Sequence, residues 1–261
     1  MAVTGAGSGI GRELALELCR RGAQVALADL DAASARETQK LCGGSDSVEA
    51  FALDVRDPEA TMRFADGVID RFGRVDVLVA CAGILHFGSV ASTSITDFDT
   101  VMRVNYLGIV HAVKAFLPHL LAADRLARIA VMSSAVGLVG AAGNAPYSAS
   151  KFAIRGFTES LRAELAGTNV AVTCVHPGGI RTPIARAALF APDVNRTEAI
   201  DQFENRVART DADEAARIIL AGIESGRARV LIGADARLAD LAARIAGPHY
   251  DRIIKAVAEL A

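Results

Sequence analysis

The chain has 261 residues, which at ~100–200 residues per domain suits one large domain or two small ones. Acids (30) and bases (28) nearly cancel to a net charge of -2, excluding a basic nucleic-acid-binding body and any general attraction to anionic membranes. Hydrophobic residues make up 52%, aromatics only 5% and Trp is absent, so the chain is not disordered and its core must be built from Ala, Val, Ile and Leu.

Short apolar runs alternate with amphipathic stretches from the start. Residues 1–3 form a first strand, short against the ~5–6 residues usual for a buried one, so the beginning reads as cut short and its edge as prone to fray. Runs at 25–28, 48–53, 75–80, 129–132, 170–175 and 230–232 are uninterrupted, as expected for strands covered on both faces. Ile10, Leu14 and Leu18 mark a helix with Gly22 beyond its end, and Asp57-Pro58 is an N-cap followed by Pro at the first helical position. Phe98, Val101 and Met102, then Ile109, Val113 and Phe116, predict one longer helix. Residues 129–150 carry no charge and are long enough to span a bilayer. Gly137, Gly140, Gly143, Asn144 and Pro146 crowd their second half, so they read as a buried strand and a tight polar loop. Strand–helix alternation predicts an α/β, doubly wound parallel sheet with right-handed crossovers.

Residues 183–209 show no clear strand and mix Pro183, Phe190, Pro192 and Phe203 with charges, the composition of a binding loop or lid. Residues 233–261 read as one or two Ala/Leu-rich helices broken at Gly247-Pro248. Their apolar stripe (Leu238, Leu241, Ile245, Tyr250, Ile253, Ile254, Val257) is expected to pack on its own domain or on a neighbouring subunit. Without repeats or a low-complexity linker, 1–261 reads as a single domain. Cys19, Cys42, Cys81 and Cys174 lack metal-ligand spacing and read as reduced thiols; the five His form no ligand pair, so no metal is expected. With no secretion signal visible, the expected location is cytoplasmic, and no membrane span is expected.

Two motifs carry chemistry. The first is Thr4-Gly-Ala-Gly-Ser-Gly-Ile-Gly11, between an apolar strand and an amphipathic helix. Gly5, Gly9 and Gly11, with Ser8 and Ile10 between them, let the backbone approach a pyrophosphate at the helix N-terminus. Asp29 ends the second strand about 20 residues on, where a carboxylate accepts from the adenosine ribose hydroxyls and repels a 2′-phosphate. No base lies at 29–31 and Ser8 precedes Gly9, so NAD is favoured over NADP; Arg12 is the counter-signal. Asp54-Val55 is placed to reach the adenine amino group. The second motif is Tyr147 and Lys151, four apart on one helix face. Ser134 follows the 129–132 strand and Asn105 lies in the long helix; a doubly wound sheet brings all four to its carboxyl edge.

Together these motifs resemble the classical short-chain dehydrogenase/reductase family across roughly residues 2–232: the glycine loop, Asp54, Asn105 in Val-Asn-Tyr, Ser134, Tyr147-Ser-Ala-Ser-Lys151 and Pro177-Gly-Gly-Ile-Arg-Thr182. The resemblance implies a Rossmann-type, seven-stranded parallel sheet. It also implies cofactor contacts through Ala82-Gly83, Pro177-Gly178, Ile180 and Thr182, the last two holding the carboxamide. One departure is plain: the family's Asn-Asn-Ala-Gly is here Ala80-Cys81-Ala82-Gly83, which removes two amides that brace the central strand.

A free Tyr, with pKa ~10, is a poor base at neutral pH. Lys151 and a positive nicotinamide ring favour tyrosinate, so Tyr147 is expected to take the alcohol proton as hydride leaves. Ser134 would hold the substrate oxygen, and Lys151 the nicotinamide ribose hydroxyls. The resemblance gives Asn105 a helix kink and a water-linked proton relay. It also implies a homodimer or homotetramer through helices 98–121 and 147–166.

The pocket is expected from residues after Gly83, from 135–144 (Gly137, Leu138, Val139, Ala141 and Ala142 being small or apolar) and from 183–209. With no basic anchor there, the expected substrate is a small hydrophobic secondary alcohol or ketone. His86 reads as a polar residue at the rim and Arg181 as surface charge. Two alternatives stay open: an NADPH-dependent carbonyl reductase, and a dinucleotide-sensing binding protein without catalysis.

Overall fold

A computed structural model of the protein describes residues 1–44 and 46–251. β1 (Ala2–Thr4) leads through the glycine loop into α1 (Gly9–Arg20). β2 (Val25–Asp29) precedes α2 (Ala32–Leu41), whose cap Asp31 accepts from the Ala33 N–H. β3 (Val48–Ala52) precedes α3 (Pro58–Phe72), where the Asp57 carboxylate accepts from the Glu59 and Ala60 N–H groups. This satisfies two donors that the first helical turn leaves free.

β4 (Val77–Ala80) and the short β5 (His86–Phe87) are followed by α4 (Ile95–Met102), a π-turn at Arg103–Leu107, and α5 (Gly108–Leu121). The run 95–121 is apolar enough to match a membrane span on composition. It is instead a core element, burying Val101, Ile109, Ala112, Val113, Phe116 and Leu120. β6 (Ala127–Met132), α6 (Ala145–Glu164) and β7 (Val170–Pro177) come next. Then follow β8 (Ile180–Arg181), β9 (Leu189–Phe190), α7 (Arg196–Gln202), β10 (Thr210–Asp211), α8 (Ala212–Glu224), β11 (Arg229–Ile232) and α9 (Ala234–Ala246).

The main sheet has seven parallel strands in the order β11-β7-β6-β4-β1-β2-β3. Its two faces follow from strand alternation. Ala2, Ala26, Leu78, Ala80, Ile129 and Val131 pack against α3, α5 and α6. Val3, Leu27, Val79, Ala130 and Met132 pack against α1 and α8. With period-two side chains, a strand covered on both faces must be apolar at nearly every position; Glu49 in the edge strand β3 and Asp76 just before β4 are the charged exceptions within the runs.

Three expectations are corrected. β1 does not fray: Ala2 and Val3 have no exposure and pair with β2 on one side and β4 on the other, so its shortness is offset by neighbours on both edges. Residues 183–209 are more ordered than a loop. A 3-10 turn, β9 and α7 lie there, and β9 pairs with β5 because Leu189 and Phe190 carry apolar surface that a solvent loop would leave wet. In α9 the inward stripe is Ala236, Ala239 and Ala242, whereas Leu241 and Ile245 are exposed. Those two side chains do not pack on their own domain, and the other half of the expectation, packing on a neighbouring subunit, is untouched by this. Ile253, Ile254 and Val257 fall outside the described residues.

Phe116 is fully buried and packs edge-to-face on Phe64, with ring centroids 5.4 Å apart. Phe116→Ala is expected to lower unfolding free energy by about 3–5 kcal/mol in urea titration. A loss under about 1 kcal/mol would show that this part of the core refills itself.

Candidate active site

Every main-sheet strand ends on the same side, and the segments that follow line one cavity of about 900 Å³. Its lining includes Gly5, Ser8, Gly9, Ile10 and Gly11 after β1; Asp29 and Asp31 after β2; Asp54, Val55 and Arg56 after β3; and Cys81, Ala82 and Gly83 after β4. It continues with Ser134, Tyr147 and Lys151, then Pro177, Gly178, Ile180 and Thr182. Of the sequence-derived site residues, Asn105 alone is absent from this wall.

The glycine loop is shaped by close approach. Gly5 and Gly9 have φ of +69 and +52. A Cβ on Gly5 would stand 2.8 Å from the Ala82 backbone, and one on Gly9 would stand 3.0 Å from Thr182. Asp29 turns its carboxylate to this loop: Oδ2 accepts from the Gly7 N–H at 2.8 Å and Oδ1 from the Asp31 N–H at 3.0 Å. Arg12 is committed elsewhere, donating to the Gly7 carbonyl and pairing with Glu37 at 2.8 Å. Asp54 is held by Arg56 (Nη2–Oδ2 2.6 Å), which draws its pKa below the usual carboxylate value. The cavity wall thus carries four carboxylates (Asp29, Asp31, Asp54, Asp235) against two cations (Arg56, Lys151). An acid-lined cradle beside a helix N-terminus has the features that hold the ribose hydroxyls and pyrophosphate of a dinucleotide.

Across the cavity, α6 presents Tyr147 and Lys151. The Ser134 hydroxyl lies near the Tyr147 phenol and acts to lower its pKa, while it donates to the Pro177 carbonyl and accepts from the Val136 N–H, both at 3.4 Å. The Lys151 ammonium lies 5.3 Å from the Tyr147 ring centroid and donates to the Met132 carbonyl at 2.8 Å. Burial pushes Tyr147 up to about 12 and Lys151 down to about 8. The expected lowering joins Lys151 with a positive nicotinamide ring; in the protein by itself desolvation of the phenolate is the leading influence and raises the pKa, with Ser134 acting against it. Cys81, standing where the family's second Asn would be, is a half-buried thiol raised by desolvation to about 11. The bracing that the missing amides would give is supplied by Thr4, whose Oγ1 accepts from the Cys81 and Ala82 N–H groups at 3.1 and 3.3 Å.

Asn105 sits in the π-turn, fully buried, and its amide is fully used. Oδ1 accepts from the Ile84 N–H at 2.8 Å, while Nδ2 donates to the Ile84 carbonyl and to Ser150 Oγ, both at 3.0 Å. The extra residue of the π-turn aims this amide at the β4–β5 connection and at α6 together.

The remaining wall is mostly apolar, with Leu85, Phe87, Val104, Val136, Ala141, Ile184, Ala187, Phe203 and Val207, interrupted by Thr100, Ser133, Asn144 and Gln202. Gly137, Leu138, Val139 and Ala142, expected here, are not part of it; Leu138 and Val139 point into protein. His86 is corrected as well. It is fully buried with neither ring nitrogen hydrogen-bonded, because β5 alternation turns Phe87 to the cavity and His86 away. Arg181 is surface charge, paired with Asp211 at 2.7 Å.

Sequence reasoning missed His176 and Asp235. The His176 Nδ1–H donates to the Ser134 carbonyl at 3.0 Å, and burial lowers its pKa to about 4, so the ring is neutral. Its position at the end of a strand, beside Pro177-Gly178, was the available signal. Asp235 accepts from the Gly179 N–H across 56 residues, a contact with no local signal.

The comparisons agree with this geometry. The family described as short chain dehydrogenase matches residues 1–191. The chain is 40% identical over 257 residues to SadH of Mycobacterium tuberculosis, an oxidoreductase by name, covering 97% of this chain and 93% of that protein. It is 35% identical over 240 residues to 1-deoxy-11-beta-hydroxypentalenate dehydrogenase of Streptomyces avermitilis, covering 90% and 84%. A short chain dehydrogenase/reductase from Burkholderia phymatum, solved in complex with NAD, superposes with a TM-score of 0.84 at 29% identity, covering 91% of each chain.

Replacing Asn105 with Ala would strip partners from both polar groups of Ile84. Thermal or urea unfolding is expected to show a loss of about 2–3 kcal/mol. An unchanged midpoint would mean that water replaces the amide.

Proposed function

The chain belongs to the short-chain dehydrogenase family and is an oxidoreductase, and from that premise we propose that it interconverts a hydrophobic secondary alcohol and its ketone with NAD. The observation that carries the reading is the meeting of Ser134, Tyr147 and Lys151 on one wall of a cavity whose other end is the glycine loop. NAD, when bound, supplies the hydride acceptor for oxidation and the donor for reduction. Gly5, Ser8, Gly9, Ile10 and Gly11 would hold its pyrophosphate. Asp29 would take the adenosine ribose, and Asp54 and Val55 would flank the adenine. Ala82, Gly83, Pro177, Gly178, Ile180 and Thr182 would line the way to the nicotinamide end.

The Ser134 hydroxyl, already in reach of the phenol, orients the substrate oxygen and donates to developing negative charge. Tyr147 accepts the alcohol proton in oxidation and returns it in reduction. Lys151 keeps positive charge beside the phenol and offers its remaining N–H donors to ribose hydroxyls. Asn105 acts through the backbone, fixing Ile84 and α6 relative to each other. A relay through its side chain has little support, since that amide is already satisfied.

The apolar half of the cavity supports a hydrophobic substrate, with Phe87, Ile184 and Phe203 in its wall and no charge among those residues. A homodimer or homotetramer completes the proposal. Leu107, Leu121 and Phe152 are exposed on the helical faces that the family uses for assembly. A cytoplasmic location rests on the reading of the scattered cysteines as reduced thiols.

Calorimetric titration should give clearly tighter binding of NADH than of NADPH; the reverse order would replace this reading with an NADPH-dependent reductase. Tyr147→Phe should cost at least about a hundredfold in turnover and leave NADH binding intact. Retained turnover would remove Tyr147 from the chemistry and favour a sensing role. The pH dependence has a definite sign. Because burial raises Tyr147 to about 12, its base form grows with pH below that value. Lys151, lowered to about 8, loses its positive charge above that value, so alcohol oxidation should climb from about pH 6 to about pH 8, where the ammonium and a growing tyrosinate fraction coexist; a flat profile there would count against a tyrosine base.

A further inference from the structure

α9 reaches the cavity wall through its first turn, and the chain just beyond its last turn reaches a segment that carries cavity residues. In its first turn, Asp235 Oδ2 accepts from the Gly179 N–H at 2.6 Å and Oδ1 accepts from the Ala236 N–H at 2.9 Å. The carboxylate fits because residue 178 is glycine; a Cβ there would collide with it. Asp235 also lines the cavity beside Pro177, Gly178 and Ile180. Beyond the last turn, the Tyr250 hydroxyl accepts from the Gly140 N–H at 2.9 Å. Gly140 belongs to the segment that joins Ser134 to Tyr147 and carries the cavity residues Val136 and Ala141. One helix from the end of the described chain therefore grips both connections that follow the two central catalytic-side strands, β6 and β7.

We propose that α9 is a two-ended brace, in which Asp235 positions the turn that presents Ile180 and Thr182 to the nicotinamide end of the cofactor and Tyr250 positions the substrate-side segment 135–144. The inference rests on reading the cavity as a dinucleotide and alcohol site. Neither side chain takes part in the chemistry. The Asp235 bond is charge-assisted, and such bonds are shorter and stronger than neutral ones. It holds a turn that has two adjacent glycines and little conformational preference of its own. The Tyr250 bond is neutral and partly exposed, so its effect is smaller.

The test separates the two ends. NADH affinity and the KM values for NAD and for the best substrate among secondary alcohols from 2-butanol to 2-decanol are measured for the wild-type chain, Asp235→Asn and Tyr250→Phe. Asp235→Asn should weaken NADH binding and raise the KM for NAD by roughly tenfold, with the alcohol KM nearly unchanged. Tyr250→Phe should raise the alcohol KM by roughly fivefold and leave NADH affinity alone. Asp235→Glu, which keeps the charge, should recover part of the cofactor affinity. Wild-type constants in both variants would overturn the brace, as would parallel changes in both constants accompanied by a lower unfolding midpoint, the mark of a merely structural role. A wild-type chain that binds no NADH would instead defeat the dinucleotide reading on which the brace depends.

Discussion

Parallel pairing of the seven strands is the constraint from which the site follows. In a parallel sheet every strand enters from the same side, so every connection leaves at the same carboxyl edge. Each main-sheet strand here contributes at least one residue to the cavity wall, from Gly5 after β1 to Asp235 after β11. The chain runs outward one way from β1 to β3 and the other way from β4 to β11, and the two halves part at the β1–β4 boundary. The glycine loop follows β1 and the Cys81–Gly83 segment follows β4, so the cradle opens where the two halves separate. An antiparallel strand among them would have carried its loop to the opposite edge.

Burial is what makes the catalytic corner unusual. Tyr147 is pushed up to about 12, Lys151 down to about 8, Cys81 up to about 11 and His176 down to about 4. Each shift favours the neutral form, and each has desolvation as its leading cause. The corner is therefore a low-dielectric pocket in which new charge would act strongly on its neighbours. Polar groups there are held chiefly by backbone atoms: Lys151 by the Met132 carbonyl, Asn105 by both polar groups of Ile84, and the Ser134 carbonyl by His176. Met132 ends β6, while Ile84 and Ser134 lie in the connections just beyond β4 and β6, so the sheet fixes the points from which these backbone atoms depart.

The substrate side is built differently. Leu85, Ala185 and Ala188 form a small apolar cluster with Phe87, Ile184, Phe190 and Phe203, separate from both main-sheet cores. Its backbone support is a two-residue pairing of β5 with β9, and Phe87 stacks on Phe190 with centroids 5.4 Å apart. Few strand bonds and a small cluster give this side less stabilisation than the sheet gives the cofactor side. A rigid half and a more adaptable half suit a common cofactor and a variable substrate.

Much of this was legible in the residues. Uninterrupted apolar runs located all seven main-sheet strands to within two residues at either end, because strands covered on both faces leave no alternation to misread. The glycine loop, Asp29 and the Tyr147–Lys151 spacing announced their chemistry, because each depends on local backbone geometry that spacing encodes. Other features required the folded chain. The pairing of β5 with β9 turned His86 inward, and the desolvation that raises Tyr147 in the protein by itself is set by the whole molecule. Asp235 meets Gly179 across 56 positions, and Tyr250 meets Gly140 across 110. The sequence by itself determined the parallel α/β fold and the family, since periodicity and short motifs are local. Tertiary structure alone decided which groups are desolvated and which distant segments touch, since dielectric environment and long-range contact are properties of the assembled molecule and have no expression in any short stretch of chain.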